Sequence, residues 1–236
     1  MQLSYLAFFT CPANPALSIA EGEHAALVNC IESLPGLAKA HLYTPSEARD
    51  RFHDDGAPPV FGMQLFFDQI EDLEAAIRPG GGLRELVVAG GLASLDAAEA
   101  TQQAMLTRAF EVPEAKPAVP GACSYVVHYI GPAEDMNAWL THYVDHHPPL
   151  MARFPGVRQL EILSRIDWID AMPWTRVQHM QRNRILFDSP EALGAALQSP
   201  VRLEMRGDFN QFPPYEGGNQ HFPMLTEVVM PKAAGR

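Results

Sequence analysis

Positive charge is in short supply. Against 28 Asp and Glu stand 17 Lys and Arg, a net charge of −11 with neutral histidines. An acidic surface of this kind repels phosphate backbones and anionic headgroups, which argues against nucleic-acid binding and against a membrane surface. Cysteine is scarce as well. Cys11, Cys30 and Cys123 are odd in number and form no CxxC pair, which points to reduced thiols in a cytoplasmic protein rather than to a disulfide frame. No apolar run approaches the length that crosses a bilayer. The opening Met-Gln-Leu-Ser-Tyr lacks the charged leader and apolar stretch of an export signal. GxGxxG and GxSxG are absent, and Gly80-Gly81-Gly82 lacks the Lys-Ser/Thr of a phosphate loop, so it reads as a turn.

Apolar residues are plentiful: 47% of 236, enough for one large core or two small ones. The chain also repeats itself. Ser4-Tyr5 returns as Ser124-Tyr125, Leu34-Pro35-Gly36-Leu37 as Phe154-Pro155-Gly156-Val157, and Phe67-Asp68 with Leu73 as Phe187-Asp188 with Leu193, each at an offset of 120. Met105-Leu106-Thr107 returns as Met224-Leu225-Thr226 at 119. Two similar halves follow, residues 1–112 and 122–236. The linker, 113–121, carries Pro113, Pro117 and Pro120, which resist both helix and central strand.

Period-2 and period-3.6 patterns divide each half in the same way. The first half predicts strands at 2–9, 37–43, 60–67 and 104–112, with helices at 16–33 and at 69–77, the latter opened by Asp68. The second predicts strands at 123–130, 157–164, 176–187 and 222–230, and helices at 134–152, 190–198 (capped by Asp188 or Ser189) and about 200–210. The order βαββαβ is that of a ferredoxin-like unit, with both helices on one face of an antiparallel sheet. The bare apolar face needs a cover. The fold class expected is therefore α+β: two such units whose sheets pack face to face as an α+β barrel, with the pocket between the sheets.

The stretch His142 to Val157 concentrates polar chemistry. It carries His142, Asp145, His146 and His147 at the end of a helix, ahead of Pro148-Pro149 and a Phe154-Pro155-Gly156 turn. Six of nine histidines lie in the second half (His128, His142, His146, His147, His179, His221), and none has a histidine at the corresponding place in the first. A fold does not need that asymmetry, whereas a single site would explain it.

Tyr143-Val144-Asp145-His146-His147-Pro148-Pro149-Leu150 resembles the helix-end motif of EthD-like proteins, in which Trp or Tyr precedes His-x-Pro-Leu. Phe154-Pro155-Gly156-Val157 resembles the turn that follows it, Leu186-Phe187-Asp188-Ser189 the third-strand ending, and Asp208 with Phe212 the Asp-x-x-x-Phe before the last strand. The resemblance covers most of the second half. It implies the dimeric α+β barrel group, which includes small isomerases, cyclases, dehydratases and cofactor-free oxygenases. The first half keeps the outline and loses the motif, having Ala25, Ala26 and Leu27 where the second has Asp145, His146 and His147.

His147 occupies the motif position and is the first candidate for moving a proton; as a structural alternative, a histidine near a helix C-terminus can cap carbonyls. His128, on a strand face with Ser124, Val126 and Ile130, is the second, or else a hydrogen-bonded core residue. His179, in a polar strand, is the third, and Asp208 would orient a histidine or cap the following segment. His146, Tyr143, Trp168, Trp174, Phe212 and Tyr215 are candidate walls for a flat substrate, or plain core. His142 and His146, four apart on a helix, form a weak metal-binding pair without a third ligand at fixed spacing.

These residues suggest a cofactor-independent lyase, isomerase or cyclase acting by histidine acid–base chemistry on a cyclic or aromatic, polyketide- or lactone-like molecule. A cofactor-free oxygenase, a non-catalytic binding or oligomerisation module, and a metal or haem protein stand as alternatives. The expected partner is a small-molecule substrate, with a homodimer left open; no cofactor, nucleic acid or membrane is expected.

Overall fold

A computed structural model describes residues 2–52 and 55–232. The first half contributes β1 (Gln2–Thr10), α1 (Glu21–Glu32), β2 (Leu37–Pro45), β3 (Phe61–Phe67), α2 (Ile70–Ile77), α3 (Gly82–Val88) and β4 (Glu99–Phe110). The second contributes β5 (Cys123–Tyr129), α4 (Met136–Met151), β6 (Val157–Arg165), β7 (Thr175–Arg176), β8 (Gln181–Phe187), α5 (Pro190–Leu197), α6 (Pro200–Phe209) and β9 (Asn219–Val229). Among the described residues no helix is long and apolar enough to cross a membrane.

The strands form one sheet in the order β1-β3-β2-β9-β5-β8-β6-β4, and β4 pairs back onto β1. Eight antiparallel strands thus close into a barrel, and the short β7 adds in parallel to β4. Each half runs fourth-first-third-second across the sheet, β4-β1-β3-β2 and β9-β5-β8-β6. The 120-residue offset persists in the ladder: Leu3 faces Phe67 as Cys123 faces Phe187. The register shifts between Leu37 and Lys39, and again between Val157 and Gln159.

The closure differs from the expected sandwich. The two four-stranded sheets join edge to edge, β2 on β9 and β4 on β6. Closing the sheet removes its unpaired edges, which face-to-face stacking alone would leave exposed. The expected strand over 176–187 is broken, because the Val177 amide donates to the Gln102 carbonyl and the Met180 amide to the Ile130 carbonyl. Helix α1 begins at Glu21 rather than near residue 16, and Ser189, not Asp188, caps α5 by accepting from the Ala192 amide at 3.2 Å. Asp188 is occupied by Arg158 instead. Asp68 lies before the Gln69 N-cap of α2, which has no side-chain cap.

Strand alternation sorts the core into two layers. On β1, Tyr5, Ala7 and Phe9 pack under α1–α3, while Leu6 and Phe8 point into the barrel. On β5, Tyr125, Val127 and Tyr129 face α4–α6, and Val126 points inward. The barrel interior, where a pocket was expected, is filled. Leu6, Phe8, Tyr43, Met105, Val126, Leu163, Phe222 and Met224 pack there. Buried polar pairs complete it, including Ser4–Thr107 and Ser124–Thr226, both 2.7 Å, and the bidentate Arg184–Glu161 pair. Small barrels of this strand number are ordinarily filled by their side chains.

Candidate active site

A cavity lies on the other side of the sheet, between the outward faces of β5, β8 and β9 and the helices α4 and α6. Its volume is about 270 Å³. Tyr125, Val127 and Tyr129 form its floor with Asn183 and Ile185, and Met151, Met205 and Phe209 form an apolar roof. His147, His221, Asn219 and Arg202 supply polar groups. A mostly apolar hollow with a few convergent polar groups is the usual form of a small-molecule site.

His147 reaches it from the last turn of α4. Asp135 caps the start of that helix, accepting from the Ala138 amide at 2.9 Å. Pro148 and Pro149 lie inside its last turn. Neither proline has an amide proton, so the carbonyls four residues earlier lose their helical donors. His147 is 4% exposed, and its Nδ1 lies 2.6 Å from Oδ2 of Asp208 in the last turn of α6. A carboxylate only accepts, so Nδ1 carries the proton and Nε2 is left with its lone pair. Burial holds the His147 imidazole below its ordinary value, against the opposing pull of Asp208. Burial pushes the Asp208 carboxyl up, but the hydrogen bond and charge of His147, with His142 and His146 nearby, outweigh it and leave it low. The pair rests as a neutral imidazole on an ionised carboxylate. That is the arrangement of a held general base.

A second histidine–aspartate pair faces the same cavity. His221 on β9 has Nδ1 3.0 Å from Oδ2 of Asp55, which also accepts the His221 backbone amide at 2.8 Å. Burial holds this imidazole down too, with Asp55 opposing. Asp55 belongs to the connection between β2 and β3, in the first half. The same connection brings Asp50, whose Oδ2 accepts from Tyr125 Oη at 2.6 Å and from Arg202 at 2.8 and 3.1 Å. Phe52 follows, 5.3 Å from the Arg202 guanidinium and 5.0 Å from that of Arg206, and lines the cavity. Asn183 donates to Tyr143 Oη at 2.8 Å, and its buried Oδ1 has no hydrogen-bond partner among the described residues.

The structure thus brings together His147 and Asp208 among the candidates, and sets others apart. Tyr143, Phe212 and Tyr215 stand with Tyr129 and Trp139 in an aromatic cluster behind the site; Phe212 packs its ring 5.0 Å from His147. His146 points to an open surface groove, its ring stacked 4.5 Å from His142. His128 does not share the cavity, because alternation sends it into the barrel while Val127 and Tyr129 take the cavity side. His179 lies beside His128, with rings 5.5 Å apart. Trp168 and Trp174 pack into the first half's core, Trp174 against Phe9 at 5.2 Å. His142 Nε2 approaches Asp208 Oδ1 at 3.4 Å. Among the described residues no group of three or more His, Cys, Asp or Glu could hold a metal ion.

Asp50, Phe52, Asp55 and Arg202 were not singled out in the sequence. One signal was available: the chain between strands 37–43 and 60–67 is long for a connection in a compact fold, and such segments commonly carry function. His221 was marked only as a histidine without a counterpart.

The chain's fold is an α+β barrel shared with solved structures described as monooxygenases or as oxidase-like. An anthrone oxidase-like protein superposes with a TM-score of 0.63 over 99% of this chain and 97% of that one, at 12% identity. A candidate monooxygenase from Lactobacillus acidophilus NCFM gives 0.56 over 97% and 96%, at 13% identity. One from Fusobacterium nucleatum gives 0.55 over 97% and 94%, at 6% identity. No protein-family model and no curated protein matches the sequence, so the likeness to EthD-like proteins is one of motif residues.

Proposed function

We propose that the chain is a cofactor-independent enzyme that takes a proton from a flat, enolisable or phenolic small molecule, with His147 as general base. The observation that carries this is the buried His147–Asp208 pair, 2.6 Å apart, on the wall of a largely apolar cavity. His147 Nε2 would accept the proton from carbon or oxygen. The electron pair left behind would move to the substrate's oxygen as an enolate or phenolate. The His147 imidazolium would then return that proton at another substrate atom, a carbon, a departing hydroxyl or a new alkoxide, which completes an isomerisation, dehydration or cyclisation, while neutral His221, held by Asp55, would accept a hydrogen bond at Nε2. Aromatic and thioether walls suit a cyclic, polyketide-like substrate. In this reading residues 1–112 and 122–236 are two ferredoxin-like copies, joined by 113–121, and the second carries the base.

A second reading ends differently. The same enolate could pass its electrons to dioxygen, as the names of the monooxygenase and anthrone oxidase-like neighbours suggest. Turnover of aromatic ketones and phenols with and without oxygen separates the two: conversion that persists anaerobically supports rearrangement, and oxygen consumption matched to substrate loss supports oxygenation. In either case His147→Ala should lower turnover by roughly 10²–10⁴. A variant that keeps its rate would end the proposal.

A further inference from the structure

Two arginines enter the barrel from β8, two residues apart, and each is 1% exposed. Arg184 is fully answered: Glu161 accepts from its Nε at 3.0 Å and from its Nη2 at 2.8 Å, and Gln159 accepts at 2.7 Å. Arg182 is not. Among the described residues no carboxylate lies within ion-pair distance of it. Its Nη1 lies 2.8 Å from Nε2 of His128, and its Nε reaches Gln103 Oε1 at only 3.4 Å. Its guanidinium sits 5.0 Å from the Phe8 ring.

A guanidinium keeps its proton inside proteins. A buried charge without a counter-charge is strongly unfavourable, which is why buried cations are found paired. No neighbour supplies the missing charge. Burial and then Arg182 hold His128 well below the ordinary imidazole value, and the same causes bring His179 down to about 3. Both rings are therefore neutral, and the cluster carries one net positive charge. Among the described residues nothing hydrogen-bonds to the buried Nδ1 of His179. Phe8 and Phe222 pack against His128 at 4.7 and 5.5 Å and shield the cluster from water. The position 120 residues before Arg182 is Gly62, so the first half sends in no balancing side chain there.

We propose that Arg182, His179 and His128 form a binding site for a small monovalent anion, halide or carboxylate, at the end of the barrel where β5 finishes and β8 begins. The anion would take the place that Glu161 occupies beside Arg184. The site lies on the opposite face of the sheet from the His147 cavity and does not depend on the function proposed for it.

Chloride NMR tests this on the intact protein, through the broadening of the 35Cl line by exchange with bound ion. The wild type should broaden the line in excess of Arg182→Met, whose unbranched thioether can fill the space without a charge. Sodium formate should remove that excess if the site prefers carboxylate, and only concentrated bromide should do so if it prefers halide. His179→Ala, at a half-buried position, serves as the second variant and should reduce the excess should Arg182→Met fail to fold. Thermal melts in sodium chloride should rise above those in sodium methanesulfonate of equal ionic strength for the wild type alone. Equal broadening by wild type and both variants, or melts that do not distinguish the two salts, would overturn the proposal.

Discussion

His147 owes its chemistry to one contact and one environment. The contact is Asp208 at 2.6 Å; the environment is burial, which keeps the ring neutral. Four other histidines share the direction of shift: His41, His128, His179 and His221 are all held below the ordinary value, with burial the largest cause. The unfolded chain therefore binds more protons than the folded one once the pH falls below about 6.5. Stability should be complete above that value and should fall as pH drops toward the folded-state values, which for His179 is about 3. Melting temperatures from pH 8 to pH 4 check this, and a flat profile would contradict it. The acid limb of kcat/KM should likewise lie below pH 6.5, because His147 is the base in its neutral form. At this scale the motif was legible. His-Pro-Pro-Leu and Asp208 marked two residues that the structure pairs, and His128 faces the barrel interior, but alternation gives a residue's face and not which face has room beside it.

Among the elements, the connection from residue 46 to 60 matters most for the site. It crosses from the first half to the second and delivers Asp50 to Arg202 and Tyr125. Asp50→Ala would leave a buried guanidinium and a buried hydroxyl unpaired. A loss of about 3–5 kcal/mol of stability is expected, with a raised KM from the loosened cavity wall. Chemical denaturation beside steady-state kinetics would show both, and an unchanged midpoint would refute a stabilising role for the Asp50 contacts with Arg202 and Tyr125. The matching connection in the second half runs the other way. Trp168 and Met172 join Leu27, Ile31 and Met63 in the first half's core. Trp168→Ala should cost roughly 3–5 kcal/mol through the hole it leaves, yet leave kcat near the wild-type value, because its neighbours are in the other half. A large fall in kcat at full folding would show that the two halves are coupled. The strands and helices were readable to within a few residues from periodicity. The destinations of these two long connections were not, since no local pattern says which half a loop will cover.

For the molecule as a whole, repetition in sequence became repetition in register, down to the bulges after Leu37 and Val157. What broke the symmetry is volume. The second half has His147, Asn183 and His221 where the first has Leu27, Met63 and Gln102, and the first half's positions close into a packed core while the second's enclose about 270 Å³. A strand pattern fixes two faces; the sum of side-chain volumes decides which of them is left open. That is why the fold class was legible and the side of the sheet bearing the cavity was not. The central claim, proton removal by His147, can be separated from whatever step follows it by working without oxygen. A panel of enolisable cyclic ketones in deuterated buffer under nitrogen, followed by proton NMR, reports exchange at the acidic carbon beside the carbonyl. The wild type should wash deuterium into that carbon well above the buffer rate, and His147→Ala should fall back to about that rate while retaining the wild-type fold by circular dichroism. Equal exchange by the two proteins would contradict a base at His147.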